Sequence, residues 1–188
     1  MALTGEPSVI GKVSPDFILG GGSTLSYRNW SVNALFEWKQ GGQMYSGSNG
    51  LLDYYGLSTR TEDRESTFIY DGVKSDGTPN DIARGGPGDP YALQILHTNV
   101  LTNIDEYYIF DNSFVKLREL SLKYRPATRL FNKADLGLSV FLRNLLVWTA
   151  LPNLDPEASQ GNTNMGGSFE RFTVPQVTSF GFNIDLTF

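Results

Sequence analysis

Residues 178–188 read T-S-F-G-F-N-I-D-L-T-F. Phe180, Phe182, Ile184, Leu186 and Phe188 share one parity, and Ser179, Gly181, Asn183, Asp185 and Thr187 share the other. Alternation this strict predicts a β-strand with one apolar and one polar face. Residues 30–39 repeat the pattern. Trp30, Val32, Ala34, Phe36 and Trp38 form the apolar row, and Ser31, Asn33, Leu35, Glu37 and Lys39 the other. The two indoles lie about 26 Å apart on a strand rising ~3.3 Å per residue. That matches the apolar band of a membrane β-barrel, about 25 Å tall between its aromatic girdles. A strand of a soluble β-sandwich alternates in the same way, but has no reason to place an indole at each end of its buried face.

Three more segments read as strands. Residues 16–27 carry Phe17, Leu19, Leu25 and Tyr27 on one face, with Gly20, Gly21 and Gly22 mid-strand, where glycine marks a bend or a close approach. Residues 113–124 place Leu120, Leu122 and Tyr124 on one face. Lys116 and Arg118 then break that face while Val115 and Leu117 move to the other, which predicts a bulge. Residues 136–143 carry Leu136, Leu138, Val140 and Leu142 on one parity. The expected architecture is all-β: about five antiparallel up-and-down strands of a transmembrane barrel, an open sheet when taken alone. Trp30, Val32, Phe36, Trp38, Leu138, Val140, Phe180, Phe182, Ile184, Leu186 and Phe188 are expected to face lipid.

The connections alternate short and long. Arg28-Asn29 is a tight turn, with Asn29 expected to take the positive φ. Residues 40–112 form a long loop, residues 125–135 a modest connection, and residues 144–177 a second long loop rich in Asn, Gly and Pro. Short turns on one side of the membrane and long loops on the other are the barrel arrangement. Residues 1–14 read as a linker or loop end.

Composition narrows the classes further. Aromatic residues make up 13% and charged residues 19% of the 188, the latter below the ~25% of a typical soluble domain. There is no cysteine and a single histidine, His97, so disulfides, thiolate sites and multi-histidine metal sites are excluded. No segment has the ~18 apolar residues of a membrane helix. The first residues lack the pattern of a signal peptide, so export would need a targeting segment upstream. Net charge is −5, and residues 40–112 carry eleven acids against four bases. An acidic segment of this size argues against nucleic-acid binding.

Four segments together resemble the C-terminal end of SusC/RagA-type TonB-dependent outer-membrane transporters. They are P-D-F at 15–17 with S-Y-R-N-W-S-V at 26–32; D-N-S-F-V-K-L-R-E-L-S-L-K-Y at 111–124 with Pro126; R-N-L-L-V-W-T at 143–149 with Asp155-Pro156-Glu157; and F-G-F-N-I-D-L-T-F at 180–188. The family often has Gly two residues before its Asp-Pro pair, where this chain has Asn153. Asparagine also tolerates the left-handed backbone. The resemblance implies a barrel segment of a transporter importing a bulky nutrient, a glycan or a peptide, in the cell outer membrane. It further implies the rest of the barrel and plug, a SusD-like lipoprotein, the TonB system and outer-membrane lipid as partners, and no cofactor. A soluble β-sandwich that binds carbohydrate, as an adhesin or binding module, is the competing reading.

Within the long loops, Tyr45, Tyr54, Tyr55 and Trp148 are the candidate ligand contacts, since exposed aromatics stack on sugar rings or pack on a partner. Asp71, Asp76 and Asp81 recur every five residues near Gly72 and Gly77, a carboxylate set to weigh for Ca²⁺, although an acidic loop is ordinarily just solvated. Asp53, Glu62, Asp63 and Glu65 are the acids to weigh as a glycosidase pair. No apolar setting in the sequence raises one of them, so no catalytic residue and no enzyme is expected. His97 reads as an ordinary loop histidine.

Overall fold

A computed structural model describes residues 8–89, 91–127, 134–160 and 167–187. In chain order its strands are β1 (Phe17–Tyr27), β2 (Trp30–Gln40), β3 (Gln43–Ser46), β4 (Thr67–Ile69), β5 (Ala83–Gly85), β6 (Ile109–Asp111), β7 (Phe114–Tyr124), β8 (Asp135–Thr149), β9 (Phe169–Glu170) and β10 (Ser179–Thr187). The helices are α1 (Gly47–Tyr54) and α2 (Ala92–Ile95), with a π-helical turn over Leu96–Val100. The main sheet has five antiparallel strands in the order β1-β2-β7-β8-β10. It is open: β1 and β10 are its two edges.

The register lays apolar residues in rows across all five strands. One row is Leu25, Val32, Leu122, Val140 and Phe182. At the turn end the row is Tyr27, Trp30, Tyr124, Leu138 and Ile184, with the Trp30 and Tyr124 rings 4.5 Å apart. At the loop end it is Leu19, Trp38, Val115 and Trp148, with Phe17 edge-on to Trp38 at 5.0 Å. This face is open: Trp30 is 47% exposed, Trp38 44%, Phe182 74% and Leu186 48%. No second layer of the described residues covers it, as a sandwich would require. Phe188 lies outside the described residues.

The predicted bulge is present. Pairing steps from Leu117 with Leu146 to Glu119 with Arg143, and β2 shifts in register between Leu35 and Phe36. The shift keeps Phe36 and Leu117 in one apolar row with Leu146, and leaves Lys116 and Arg118 on the polar face. Charges on that face pair across strands, with Arg143 to Glu119 at 3.2 Å and Lys123 to Asp185 at 3.5 Å.

Three expectations change. The fourth strand does not stop at residue 143, because β8 runs on to Thr149 through Asn144, which takes φ +51°. The apolar row of this strand is interrupted only by Asn144 and resumes on the same parity at Leu146 and Trp148, so Trp148 belongs to the sheet and not to the loop. The positive φ of the first turn falls on Arg28, at +52°, and not on Asn29. The segments read as long loops carry secondary structure of their own. Strands β3, β6 and β9 form a second small sheet, with β3 pairing parallel to β9, so the two loops are joined.

Most of the buried core lies in this joined loop cap. Met44, Tyr108 and Leu151 are fully buried, whereas β1 buries none of its residues.

Candidate functional site

The cap is held by buried polar groups. Ser46 is the N-cap of α1, and its Oγ accepts a hydrogen bond from the Asn49 amide at 3.1 Å, satisfying a donor that the helix itself leaves free. Gly56, at φ +67°, lies just past the end of the helix, where a side chain would be strained. Ser46 Oγ donates to Glu170 Oε2 at 3.0 Å, and Ser48 Oγ donates to Glu170 Oε1 at 2.7 Å. Glu170 is wholly buried and lies on the second loop, so these bonds fasten one loop to the other.

A second clasp fastens the cap to the sheet. Lys116 Nζ, on a residue 3% exposed, meets Asp155 Oδ1 at 2.7 Å and Glu157 Oε2 at 2.6 Å. Arg118 bridges Glu157 to Glu37. Burial opposes ionisation of Asp155, yet hydrogen bonds from Lys116 and from the Gln176 and Glu157 amides hold its carboxyl below the usual range. Glu157 is likewise penalised by burial and held low by Arg118 and Lys116. Asn153, just before this Asp-Pro-Glu turn, takes φ +63°, the left-handed backbone that asparagine tolerates.

Behind α1 lies a cavity of about 310 Å³. Its lining includes Asp53, Tyr54, Tyr55, Tyr91, Gln94 and His97. Asp53 is buried and faces Arg60 Nη1 at 3.2 Å; its carboxylate makes no hydrogen bond among the described residues. Arg60 also stacks on the Tyr107 ring at 4.2 Å. Burial pushes the His97 pKa down, against the pull of the Asp53 charge, so the imidazole is neutral near pH 7. Burial and the Asp53 charge push the Tyr108 phenol up.

The sequence candidates therefore part company. Tyr54 and Tyr55 line this cavity together, their rings 5.1 Å apart. Tyr45 lies elsewhere, on β3, stacked on Phe169 at 5.6 Å. Trp148 is a residue of the sheet's apolar face and not of a loop. Asp76 accepts from the Thr78 amide and hydroxyl, and Asp81 pairs with Lys74 at 2.6 Å; the described residues hold no metal-ligating cluster of carboxylates and histidines. The role of His97 in the cavity was not visible in the sequence, because nothing in its neighbourhood marks it. Asp53 was visible only as one of several loop acids.

An open antiparallel sheet with one exposed apolar face, aromatics at both ends of it and a folded cap at one end defines a class, a segment of β-barrel wall. The comparisons agree. The chain is similar to TonB-dependent receptor P3 of Formosa agariphila, at 26% identity over 98% of this chain and 18% of that protein. It is similar at 26% identity to TonB-dependent receptor P26 of the same organism, over 96% and 18%. The fold matches the RagAB peptide importer in its closed-closed state with a TM-score of 0.61 and 18% identity, over 98% of this chain and 19% of that one. For the open-open state the TM-score is 0.56 at 21% identity, over 94% and 17%. No family model matches the chain. The chain thus spans under a fifth of the relatives it matches, and it resembles a barrel fragment of the TonB-dependent receptors.

Proposed function

We propose that the chain is a wall-and-cap segment of a SusC-like, TonB-dependent transporter that imports a bulky nutrient, a glycan or a peptide, across the cell outer membrane. The observation that carries this reading is the exposed apolar face bounded at each end by aromatics. A contiguous apolar face of this extent marks an interaction or membrane surface, and girdles at both ends are what a bilayer with two interfaces selects. In lipid, the edges β1 and β10 would each carry unpaired backbone groups costing several kcal/mol apiece. The reading therefore places further strands of a longer barrel against both edges. The polar face lines the lumen beside a plug, the cap lies at the extracellular mouth beneath a SusD-like lipoprotein, and coupling to TonB falls to other parts of the transporter. No catalytic role is proposed.

All three tryptophans, Trp30, Trp38 and Trp148, lie in the rows of this face, so their emission reports it. The test is to reconstitute the chain in vesicles containing brominated lipids. Strong quenching is expected, greater for bromines near the headgroups than near the bilayer centre, because the indoles sit at the two girdles. A monodisperse, detergent-free monomer whose tryptophans are not quenched would overturn the proposal.

A further inference from the structure

The two ends of the apolar face are not equivalent. At the loop end Trp38 Nε1 donates to Gln40 Oε1 at 3.2 Å, and Lys12, on the segment leading into β1, is paired with Asp16 at 2.8 Å. At the turn end the aromatic row of Tyr27, Trp30 and Tyr124 has an unpaired cation beside it. We propose that this end holds the headgroup of an anionic phospholipid, its phosphate at the Arg28 guanidinium. The inference rests on the membrane reading above and adds to it which lipid this wall selects.

Four observations lead there. Arg28 closes the β1–β2 hairpin at φ +52°, and its guanidinium carbon lies 5.2 Å from the centroid of the Tyr27 ring. Tyr27 is 70% exposed on the apolar face, so the turn carries this charge to the lipid side. Among the described residues it is the one cation–ring pair on that face; Phe114 and Phe141 take theirs on the polar face, and Arg60 lies in the cap. Arg125, on the next turn, goes instead towards Gly137 and Asp185 on the polar face. Second, the rim offers donors. Arg28 makes no ion pair among the described residues, and neither Trp30 Nε1 nor the Tyr27 and Tyr124 hydroxyls make a hydrogen bond among them. Phosphate supplies acceptors that a guanidinium meets two at a time, at the depth where Trp and Tyr rings settle. Third, a zwitterionic headgroup brings its own ammonium. The aromatic face that would attract that ammonium already carries Arg28, a like charge, whereas an anionic headgroup adds no cation. Fourth, charge divides by side. Residues 28–29 and 125–135 hold four bases and one acid, net +3, against net −7 over residues 40–112 and net −2 over residues 144–177. Two of those bases, Arg129 and Lys133, lie outside the described residues, so the site rests on Arg28. The turn side therefore attracts an anionic surface and the loop side repels one.

The test reconstitutes the full chain in phosphatidylcholine vesicles with a minor fraction of lipid brominated in its acyl chains, its headgroup either phosphatidylglycerol or phosphatidylcholine. Trp38→Phe with Trp148→Phe leaves Trp30 to report the turn end, and Trp30→Phe with Trp148→Phe leaves Trp38 to report the loop end. At Trp30 the brominated phosphatidylglycerol is expected to quench as if enriched about fivefold over the phosphatidylcholine, the effect of one basic residue at a charged surface. Added salt should weaken the preference, Arg28→Gln should abolish it, and Arg28→Lys, which keeps the charge without the planar fork, should reduce but retain it. Trp38 should show none. Arg28 is exposed, so both variants should fold, and quenching by brominated phosphatidylcholine checks that each still enters the bilayer. A preference that survives Arg28→Gln, the same preference at Trp38, or its loss in millimolar inorganic phosphate, which would mark a free-anion site, would each overturn the proposal. Equal quenching of Trp30 by the two lipids would sink this inference and keep the membrane reading; no quenching by either would sink both.

Discussion

Glu170 offers the sharpest test of how the cap is held. Its carboxylate is wholly buried and accepts from Ser48 Oγ at 2.7 Å, Ser46 Oγ at 3.0 Å and the Thr173 amide at 3.3 Å. Hydrogen bonds to a charged group are worth about 1.5–3 kcal/mol each. The three share one acceptor, and Ser46 and Ser48 keep other partners in the Asn49 and Phe172 amides. The sum is therefore discounted, and Glu170→Ala is expected to cost about 3–4 kcal/mol of local stability. Glu170→Gln keeps the shape and one acceptor, and should cost about 1 kcal/mol. Arg171, the next residue, gives trypsin a cleavage point in the joined segment. When opening is fast relative to cleavage, the rate follows the population of the open form. At about 1.4 kcal/mol per tenfold, Glu170→Ala should speed cleavage after Arg171 by about two to three orders of magnitude, and Glu170→Gln by about fivefold. Circular dichroism checks that the main sheet persists. If Glu170→Ala is cleaved within about threefold of the parent, or if the Gln variant loses as much as the Ala variant, the loops are not joined by this group.

Three further outcomes follow from the same contacts. Lys116→Met strands two acids, but Asp155 keeps two amide donors and Glu157 keeps Arg118. The loss should fall at or below the low end of the usual cost of breaking a buried pair, about 2–3 kcal/mol, read as a lower urea midpoint at unchanged slope. At Gly181 an added Cβ would overlap the Phe141 ring at Cζ, so Gly181→Ala should cost about 1–3 kcal/mol and be rescued in thermal melts by Phe141→Ala. Asp155 and Glu157 have depressed carboxyl values in the folded chain, so their stabilisation is full above the unfolded values near ~4 and is lost as pH falls through the lower folded ones. Near-UV circular dichroism of the tyrosine-rich cap should therefore fall away below about pH 4, and a flat profile there would remove the clasp from the account.

Much of the sheet was legible because strand parity is a local property. Trp30 to Trp38 and Phe180 to Leu186 declare their apolar side every second residue, and no distant contact is needed to read it. The bulge was legible too, since Lys116 and Arg118 visibly break the alternation. At Asn144 the alternation is not broken: a single polar residue interrupts an apolar row that resumes at Leu146, and such an interruption looks like a strand end in one chain. Only the partner strand, with Leu146 opposite Leu117 and Trp148 opposite Val115, tells the two apart.

The cap had no such signal. α1 opens on Gly47-Ser48-Asn49-Gly50, poor helix formers that read as a turn, and the helix exists because Ser46 caps it and because Glu170, 124 positions from Ser46, holds that cap in place. The cavity arises in the same way. Tyr55 was a candidate by itself, but nothing in the sequence relates it to Tyr91 and His97 until α1 and α2 bring them together. The amino-acid order alone determined which side of each main-sheet strand is greasy and that this sheet has five strands, because a two-residue period needs only neighbours. Tertiary structure decided where the loops lock and where the cavity forms, because those contacts join residues that no local pattern relates.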